Sequence, residues 1–376
     1  MMKKRWLKTV GFIWLICICF LLLCSISASF ADFYIDNIFP YMTLPLMRFS
    51  DCFSFSVGEI MIVAGVIWLV LLIIISIIYL IIFLIRNTDI KFYITFKRFA
   101  KKFYKSTVIL LTIICIIMSL NCFCLYQHTP IYSDVSKEYT LEELTFLRDY
   151  VVTKCNELSL EVPRDENGEV LYEGDMEEDA KKAIENISSE YPRLSGYITT
   201  PKILYFSGFM SQQYMQGYYF PFSMEANING IMKIMNKPFT MCHELSHTKG
   251  FIYEDEANFL GFLACIESGN TVFEYSGYLG VLNYINNDYY DAVGRSEYLE
   301  HVAISDLVKE DNMFLSDESW REVEDNSVLD TELVKEAADT FVDTSLKMSG
   351  VSDGKISYNR VVGLIITYYR EIGIIE

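Results

Sequence analysis

Three long apolar runs in the first third of the chain constrain its fold most. They cover about residues 10–30, 60–85 and 108–125. Each is close to or above the roughly 18–20 residues that cross a bilayer as a helix. None shows the alternation of a barrel strand, and lipid leaves no other way to satisfy a backbone, so all three are predicted as transmembrane helices. The first run follows Lys3, Lys4, Arg5 and Lys8. It has signal-peptide features, with Ser29-Phe30-Ala31 a tolerable cleavage site, but its length favours an uncleaved span. Residues 32–57 read as a short loop. Residues 86–105 form the most basic stretch, with Arg86, Lys91, Lys97, Arg98, Lys101, Lys102 and Lys105. The positive-inside rule puts that loop and the N-terminus in the cytoplasm. The third span then delivers residues 126–376 outside the cytoplasmic membrane. The basic loop suits anionic headgroups, so the bilayer is the first expected partner.

Charge divides the chain at the same place. Residues 1–125 carry a net +7 and residues 126–376 a net −25. The acidic part has no basic stripe, which excludes nucleic acid as a partner. Six of the ten cysteines lie in or beside the apolar runs, and the large acidic part has only Cys155, Cys242 and Cys265, so no disulfide framework is expected. The spans hold almost no ionisable residue, with Glu59 at an edge, so no ion pathway is evident.

The chemistry is concentrated in Cys242-His243-Glu244-Leu245-Ser246-His247, an HExxH motif. The chain has four histidines and two of them are here. On a helix, residues four apart share a face, so both imidazoles reach one metal ion and Glu244 lies beside them as a general base. Phe239, Met241, Cys242, Leu245 and Phe251 surround the motif with apolar side chains. Two buried histidines and a buried glutamate need partners, and a metal supplies them. Cys242 falls on another helix face and reads as a small core residue. The segment is too polar for a span, so cleavage inside the bilayer is not expected.

Around the motif the chain reads as mostly helical, with a small sheet. Thr140-Leu141-Glu142-Glu143 is a capping box opening a helix with Leu144, Leu147, Val151 and Cys155 on one face. A shorter helix carries Ala180, Ala183 and Ile184. Lys202 to Phe209, Tyr218 to Phe222 and Ala226 to Ile228 read as extended pieces. The motif helix starts near Lys237 or Pro238 and stops at Gly250, where a left-handed cap turns the chain. A second helix runs from about Glu254 to Ile266, with Ala257, Leu260, Gly261 and Ala264 packing closely on the first. Ile356 to Ile372 reads as an amphipathic helix.

Catalytic zinc takes three protein ligands and leaves one position for water. Glu254, near the edge of the apolar stripe, is the first choice for the third ligand, and Glu256 stays open as the alternative. Asn258 is placed to orient a ligand histidine by a hydrogen bond. Possible oxyanion or substrate contacts are Tyr275, Tyr278, Tyr358, Arg360 and His301. The segment Glu225-Ala226-Asn227-Ile228-Asn229 is a possible edge strand that pairs with an extended peptide substrate.

His243-Glu244-x-x-His247 with Glu254-x-x-Ala257-Asn258 resembles the gluzincin pattern, in which a second helix supplies a glutamate; only six residues separate His247 from Glu254 here. Gly250 resembles the metzincin glycine, but Tyr253 stands where a third histidine would be. A broader resemblance joins the three spans to Tyr219-Phe220-Pro221-Phe222-x-x-Glu225-Ala226-Asn227, the HExxH segment, Tyr275-Ser276-Gly277-Tyr278-Leu279, and Asp353-Gly354 with Ser357-Tyr358-x-Arg360. On these the chain is similar to a bacterial family of domains of unknown function numbered 3810. That resemblance implies the topology and a metallopeptidase, without naming a substrate.

The expected fold is therefore α+β and mostly helical: three N-terminal transmembrane helices (residues 1–125), then an extracytoplasmic zincin-like metallopeptidase domain with a small sheet (126–376). The expected function is zinc-dependent hydrolysis of peptide bonds at the membrane's outer side, with one Zn2+ per chain. The alternative is a catalytically inactive metal-binding membrane protein that binds an envelope partner. An intact Glu244 favours the enzyme, since a structural site has no use for a general base.

Overall fold

The computed structural model describes residues 2–85, 90–132, 139–348 and 360–375. Three of its helices are long and apolar enough to cross a membrane, covering Arg5–Ile26, Val57–Leu84 and Lys91–Gln127. This is the mark of a membrane protein. The first, α1 (Met2–Ile26), stops at Ser27, whose hydroxyl accepts from Phe30 N and so starts a new helix, α2 (Ala28–Asn37).

The expected loop over residues 32–57 is instead largely helical. It continues as α3 (Phe39–Ser50) before the second long helix, α4 (Val57–Leu84). Tyr34, Ile35, Phe39 and Met47 are buried in a cluster with Met224 and Ile252 of the following domain. Apolar burial against that domain outweighs the local polarity that suggested a loop.

The basic stretch also differs from expectation. α5 (Ile90–Met118) takes up residues 90–105 of it, and residues 86–89 lie outside the described residues. No glycine or proline interrupts residues 90–118, and lysine and arginine are good helix formers, so the helix of the third span extends back through them. A π turn over Ser119–Phe123 and a 3-10 turn over Leu125–Gln127 end it. Polar clips join the long helices: Trp14 Nε1 donates to Thr112 Oγ1 at 3.1 Å, and Trp68 Nε1 to Thr107 Oγ1 at 3.2 Å.

The domain begins with α6 (Leu141–Glu161), whose capping box forms as expected: Thr140 Oγ1 accepts from Glu143 N, and the Glu143 carboxylate accepts from Thr140 N. After α7 (Met176–Asn186) comes a three-stranded sheet of β1 (Lys202–Ile203), β2 (Gly217–Phe220) and β3 (Glu225–Ile228), with α8 (Ser207–Gln212) inserted after β1. The extended run expected from Lys202 to Phe209 is thus cut to two residues. The Glu59 carboxylate takes the N–H groups of Tyr205 and Phe206, both at 2.8 Å, which removes them from any ladder.

The strand order is β1-β3-β2, with β3 parallel to β1 and antiparallel to β2. β3 is buried along its length. Then follow α9 (Lys237–Thr248), α10 (Glu254–Ile266), α11 (Thr271–Tyr298), α12 (Asp306–Asp311), α13 (Asp317–Asp325), α14 (Thr331–Met348) and α15 (Val361–Glu371). One core joins Leu147, Val151 and Cys155 of α6, Cys242 and Leu245 of α9, Leu260 and Phe262 of α10, Ile285 of α11 and Ile365 of α15. Each fully buried Leu, Ile or Phe there contributes on the order of 1.5–3 kcal/mol.

The sheet is seated on the ends of the long helices. The Glu225 carboxylate accepts from Val57 N at 2.9 Å and Gly58 N at 2.7 Å, at the N-terminus of α4, where a negative charge meets the helix dipole. Asn121, at the end of the third long helix, donates to Pro221 O and accepts from Tyr219 Oη through its carbonyl. The chain that lines the site described next is therefore fixed to the start of α4 and to the turn that follows α5.

Candidate metal centre

The site is built by three packed helices and one strand. α9 begins with proline in its first turn, where a missing N–H costs nothing. The N–H of Phe239 is satisfied by Ser276 Oγ from α11 at 3.1 Å. α9 and α10 approach closely because Gly261 has no side chain: a Cβ there would sit 3.2 Å from the backbone nitrogen of His243. Gly280 of α11 makes room for the Phe239 ring, which a Cβ would meet at 2.4 Å. The chain leaves α9 through Gly250 at φ +95°, the left-handed cap expected there. That turn points the carbonyl of Phe251 back at His247.

His243, His247 and Glu254 converge. His243 Nε2 lies 3.1 Å from His247 Nε2. Glu254 Oε2 lies 3.2 Å from His243 Nε2 and 3.6 Å from His247 Nε2. For ligand bonds of 2.0–2.1 Å, the edge of a regular tetrahedron is about 3.3 Å, so the three atoms have the spacing of one face around a small divalent ion. They form a group able to hold a metal. His247 Nδ1 donates to Phe251 O at 2.7 Å, which leaves the Nε2 lone pair free to face the other two ligands. Glu244 Oε2 and His243 Nδ1 are buried without a hydrogen-bond partner. Orphaned polar atoms of this kind are rare in a settled core, and here two of them belong to adjacent residues of the HExxH segment.

Electrostatics follow from that crowding. Burial raises the Glu244 carboxyl to about 7, with His243 and His247 opposing the shift. Burial alone would lower the His247 imidazole, but Glu254 outweighs it and the group is raised to about 9. Burial pushes Glu254 up while both histidines pull it down, and the histidines win, leaving it far below the usual carboxylate range. β2 runs alongside. Gly217 abuts the site so closely that a Cβ would lie 2.7 Å from Glu244 Oε1. β3 covers one edge of β2, and the Tyr219 ring lies 6.2 Å from that of His247.

Several expected residues lie elsewhere. Glu256, the alternative ligand, is turned away: it accepts from His128 Nε2 at 2.8 Å and from Ile131 N at 2.7 Å. Two residues along a helix rotate a side chain by about 200°, so Glu254 and Glu256 cannot serve one point. Asn258 does not bond a ligand histidine. Its Nδ2 is unpartnered and its amide lies beside the Tyr284 hydroxyl. The orienting bond to His247 comes from the Phe251 backbone, which no side-chain pattern announces.

The Tyr275 hydroxyl donates to Asp311 at 2.8 Å, Tyr278 packs with Tyr150 and Phe262, and His301 Nδ1 pairs with Asp149 at 2.7 Å. Each is committed to the core or to a partner away from the cluster. Arg360 lies near Asp255 and Tyr253. Tyr358 falls outside the described residues.

The segment Glu225 to Asn229 is not an edge. Glu225 to Ile228 forms β3, the central strand, paired on both sides, and Asn229 bonds Gln216, Ser211 and Met215. The strand edge near the site belongs to β2. Tyr284, not singled out from sequence for this role, stands near Glu254 and Asn258 with its hydroxyl raised by burial. The usable signal was helical spacing: Gly277, Gly280 and Tyr284 share the face of α11 that meets α9 and α10. Cys242 is fully buried in the core, as expected.

A cavity of about 940 Å³ lies between α3, the Pro192–Tyr197 stretch and the chain after α9, lined by Phe39, Arg48, Tyr197 and Lys249 among others. It is not at the metal cluster, and its lysine is already used: Lys249 Nζ donates to Ser195 O and Tyr197 O, both at 2.8 Å.

A family model described as a protein of unknown function (DUF3810) matches residues 34–366. The comparisons with curated proteins and with solved structures give no match.

Proposed function

The chain belongs to the DUF3810 family, described only as of unknown function, and from that premise we propose that it is a membrane-anchored zinc-dependent metallopeptidase. The observation that carries this reading is the convergence of His243, His247 and Glu254 at 3.1–3.6 Å beside a buried, partnerless Glu244 oxygen. His243 and His247 through Nε2, and Glu254 through Oε2, would hold the ion. A bound zinc supplies Lewis acidity, bringing water within reach of deprotonation near pH 7 and polarising a carbonyl.

The remaining work falls to the chain. Glu244, raised to about 7, is poised to take a proton from the attacking water and pass it to the leaving amine. A structural metal site needs no such group. The Tyr284 hydroxyl, close enough to Glu254 to feel its charge, is the candidate donor to a developing oxyanion. β2 offers a backbone edge beside Glu244, suited to pairing with an extended peptide. An HExxH helix, a glutamate-bearing second helix and an adjacent strand support the zincin-like reading. Orientation with the domain outside the cytoplasm rests on the basic residues of α5.

The deciding experiment measures zinc in the purified full-length protein, then screens a peptide library with Glu244→Gln as control. Zinc near one per chain and cleavage lost in Glu244→Gln supports the proposal. Zinc without any cleavage points to the inactive, partner-binding alternative. No bound transition metal in folded protein removes the peptidase reading.

A further inference from the structure

The N-terminal end of α4 is ringed by aromatic side chains from two separate parts of the chain. Phe49, Phe53 and Phe55 come from the end of α3 and the linker into α4, with ring centroids 5.4 and 5.2 Å apart in sequence order. Tyr205, Phe206 and Phe209 come from the domain, where they are 87%, 51% and 53% exposed. The two banks are tied together. Lys202 Nζ donates to Phe53 O at 2.7 Å, and Glu59, in the first turn of α4, accepts the N–H groups of Tyr205 and Phe206. Tyr205 and Phe206 are thus fixed at the height of Glu59, one residue before the exposed apolar surface of α4 begins with Ile60, Met61 and Ile62.

That height can be placed against a bilayer. α4 has 28 residues, a length of about 42 Å, while the hydrocarbon layer is about 30 Å thick. Its ends therefore reach into the headgroup layers, where amphipathic and aromatic rings settle. A soluble surface rarely leaves so many large rings exposed side by side. The domain's net charge of −25 over residues 126–376 gives no electrostatic pull toward anionic lipid, so attachment by this edge has to be apolar.

We propose that these six residues form a rim seated in the interfacial layer of the phospholipid bilayer, holding the domain down on the membrane at the α4 end. The rim is independent of the hydrolase reading, because it requires neither a metal nor catalysis.

The test uses the full-length protein in phosphatidylcholine nanodiscs, with Phe206→benzoylphenylalanine and Phe209→benzoylphenylalanine made singly. After irradiation, intact mass should rise by one phospholipid at both positions, as it does for Leu80→benzoylphenylalanine on the exposed face of α4. Leu160→benzoylphenylalanine, exposed at the C-terminal end of α6, should show no such rise. An adduct at Leu80 with none at Phe206 or Phe209 overturns the proposal and leaves the patch to a protein partner. The unsubstituted chain supplies a second readout. A diazirine-bearing lipid should label peptides containing residues 205–209 as well as those of α4, and labelling of α4 alone would again overturn it.

Discussion

Two histidine–glutamate clusters flank the first turn of α10. In one, Glu256 accepts from His128 and from Ile131 N, while His128 Nδ1 donates to Leu125 O at 2.6 Å, so nearly every polar atom is paired. In the other, Glu254 faces His243 and His247, two imidazole nitrogens face each other, and neighbouring atoms of His243 and Glu244 have no partner. Both are buried and both join distant segments. The satisfied cluster ties the end of the third long helix to α10 and reads as structure. The unsatisfied one brings three metal-ligating atoms together beside buried polar atoms that no side chain satisfies, and it is the cluster on which the proposed function rests.

The largest expected effect separates the two clusters directly. His247→Ala should abolish bound zinc, weakening affinity beyond the roughly 10–100-fold typical of altering a supporting residue, while Glu256→Ala keeps it near one per chain. Atomic absorption on folded full-length protein reads this, and zinc lost equally in both variants would break the distinction. Next, Glu244→Gln should retain zinc and lower peptide hydrolysis by about 10²–10⁴-fold, measured on the best peptide from the library screen. Tyr284→Phe should lower the same rate by about 10²-fold at unchanged zinc content, and a rate equal to wild type would remove Tyr284 from the chemistry.

Glu256→Ala should instead act on stability. It leaves the buried His128 Nε2 and the part-buried Ile131 N without an acceptor, a loss of about 2–5 kcal/mol, read from denaturation in detergent. The smallest effect belongs to a more exposed pair. The Arg370 guanidinium beside Glu143 holds its carboxyl at about 2, below the ordinary 4.5. Its contribution is therefore present above about pH 4.5 and is lost as the pH falls through about 2. Arg370 is 40% exposed, so screening limits the contribution to about 1 kcal/mol or less. Melting temperatures of Glu143→Gln and wild type should differ slightly at neutral pH and converge in acid.

Much of the site was legible because its signals are local. The i, i+4 spacing of His243 and His247, the stop at Gly250 and the helix from Glu254 to Ile266 are all short-range properties, and the described helices begin and end where those residues indicate. The choice between Glu254 and Glu256 rested on how far each lies past the edge of the apolar stripe, and what holds Glu256 elsewhere is His128, more than a hundred residues away. The tyrosines were not separable by sequence. Tyr275, Tyr278 and Tyr284 share one helix, and only its packing shows that the first donates to Asp311, the second packs on Tyr150, and the third lies near Asn258 and within range of the Glu254 charge. The loop expected at 32–57 and the described part of that expected at 86–105 are helical for opposite reasons: one through contact with the domain, the other, from residue 90, through simple extension of a span.

By itself, then, the sequence determined the three long apolar helices, the acidic domain after them and the two histidines with their glutamate, because hydrophobic length and helical period act over a few turns. Tertiary structure alone decided which carboxylate joins the histidines, that β3 is central and β2 the edge beside Glu244, and that the sheet rests on the end of α4. Those outcomes depend on contacts between residues far apart in the chain, such as Glu225 with Val57 and Glu256 with His128, whose pairing no local pattern encodes.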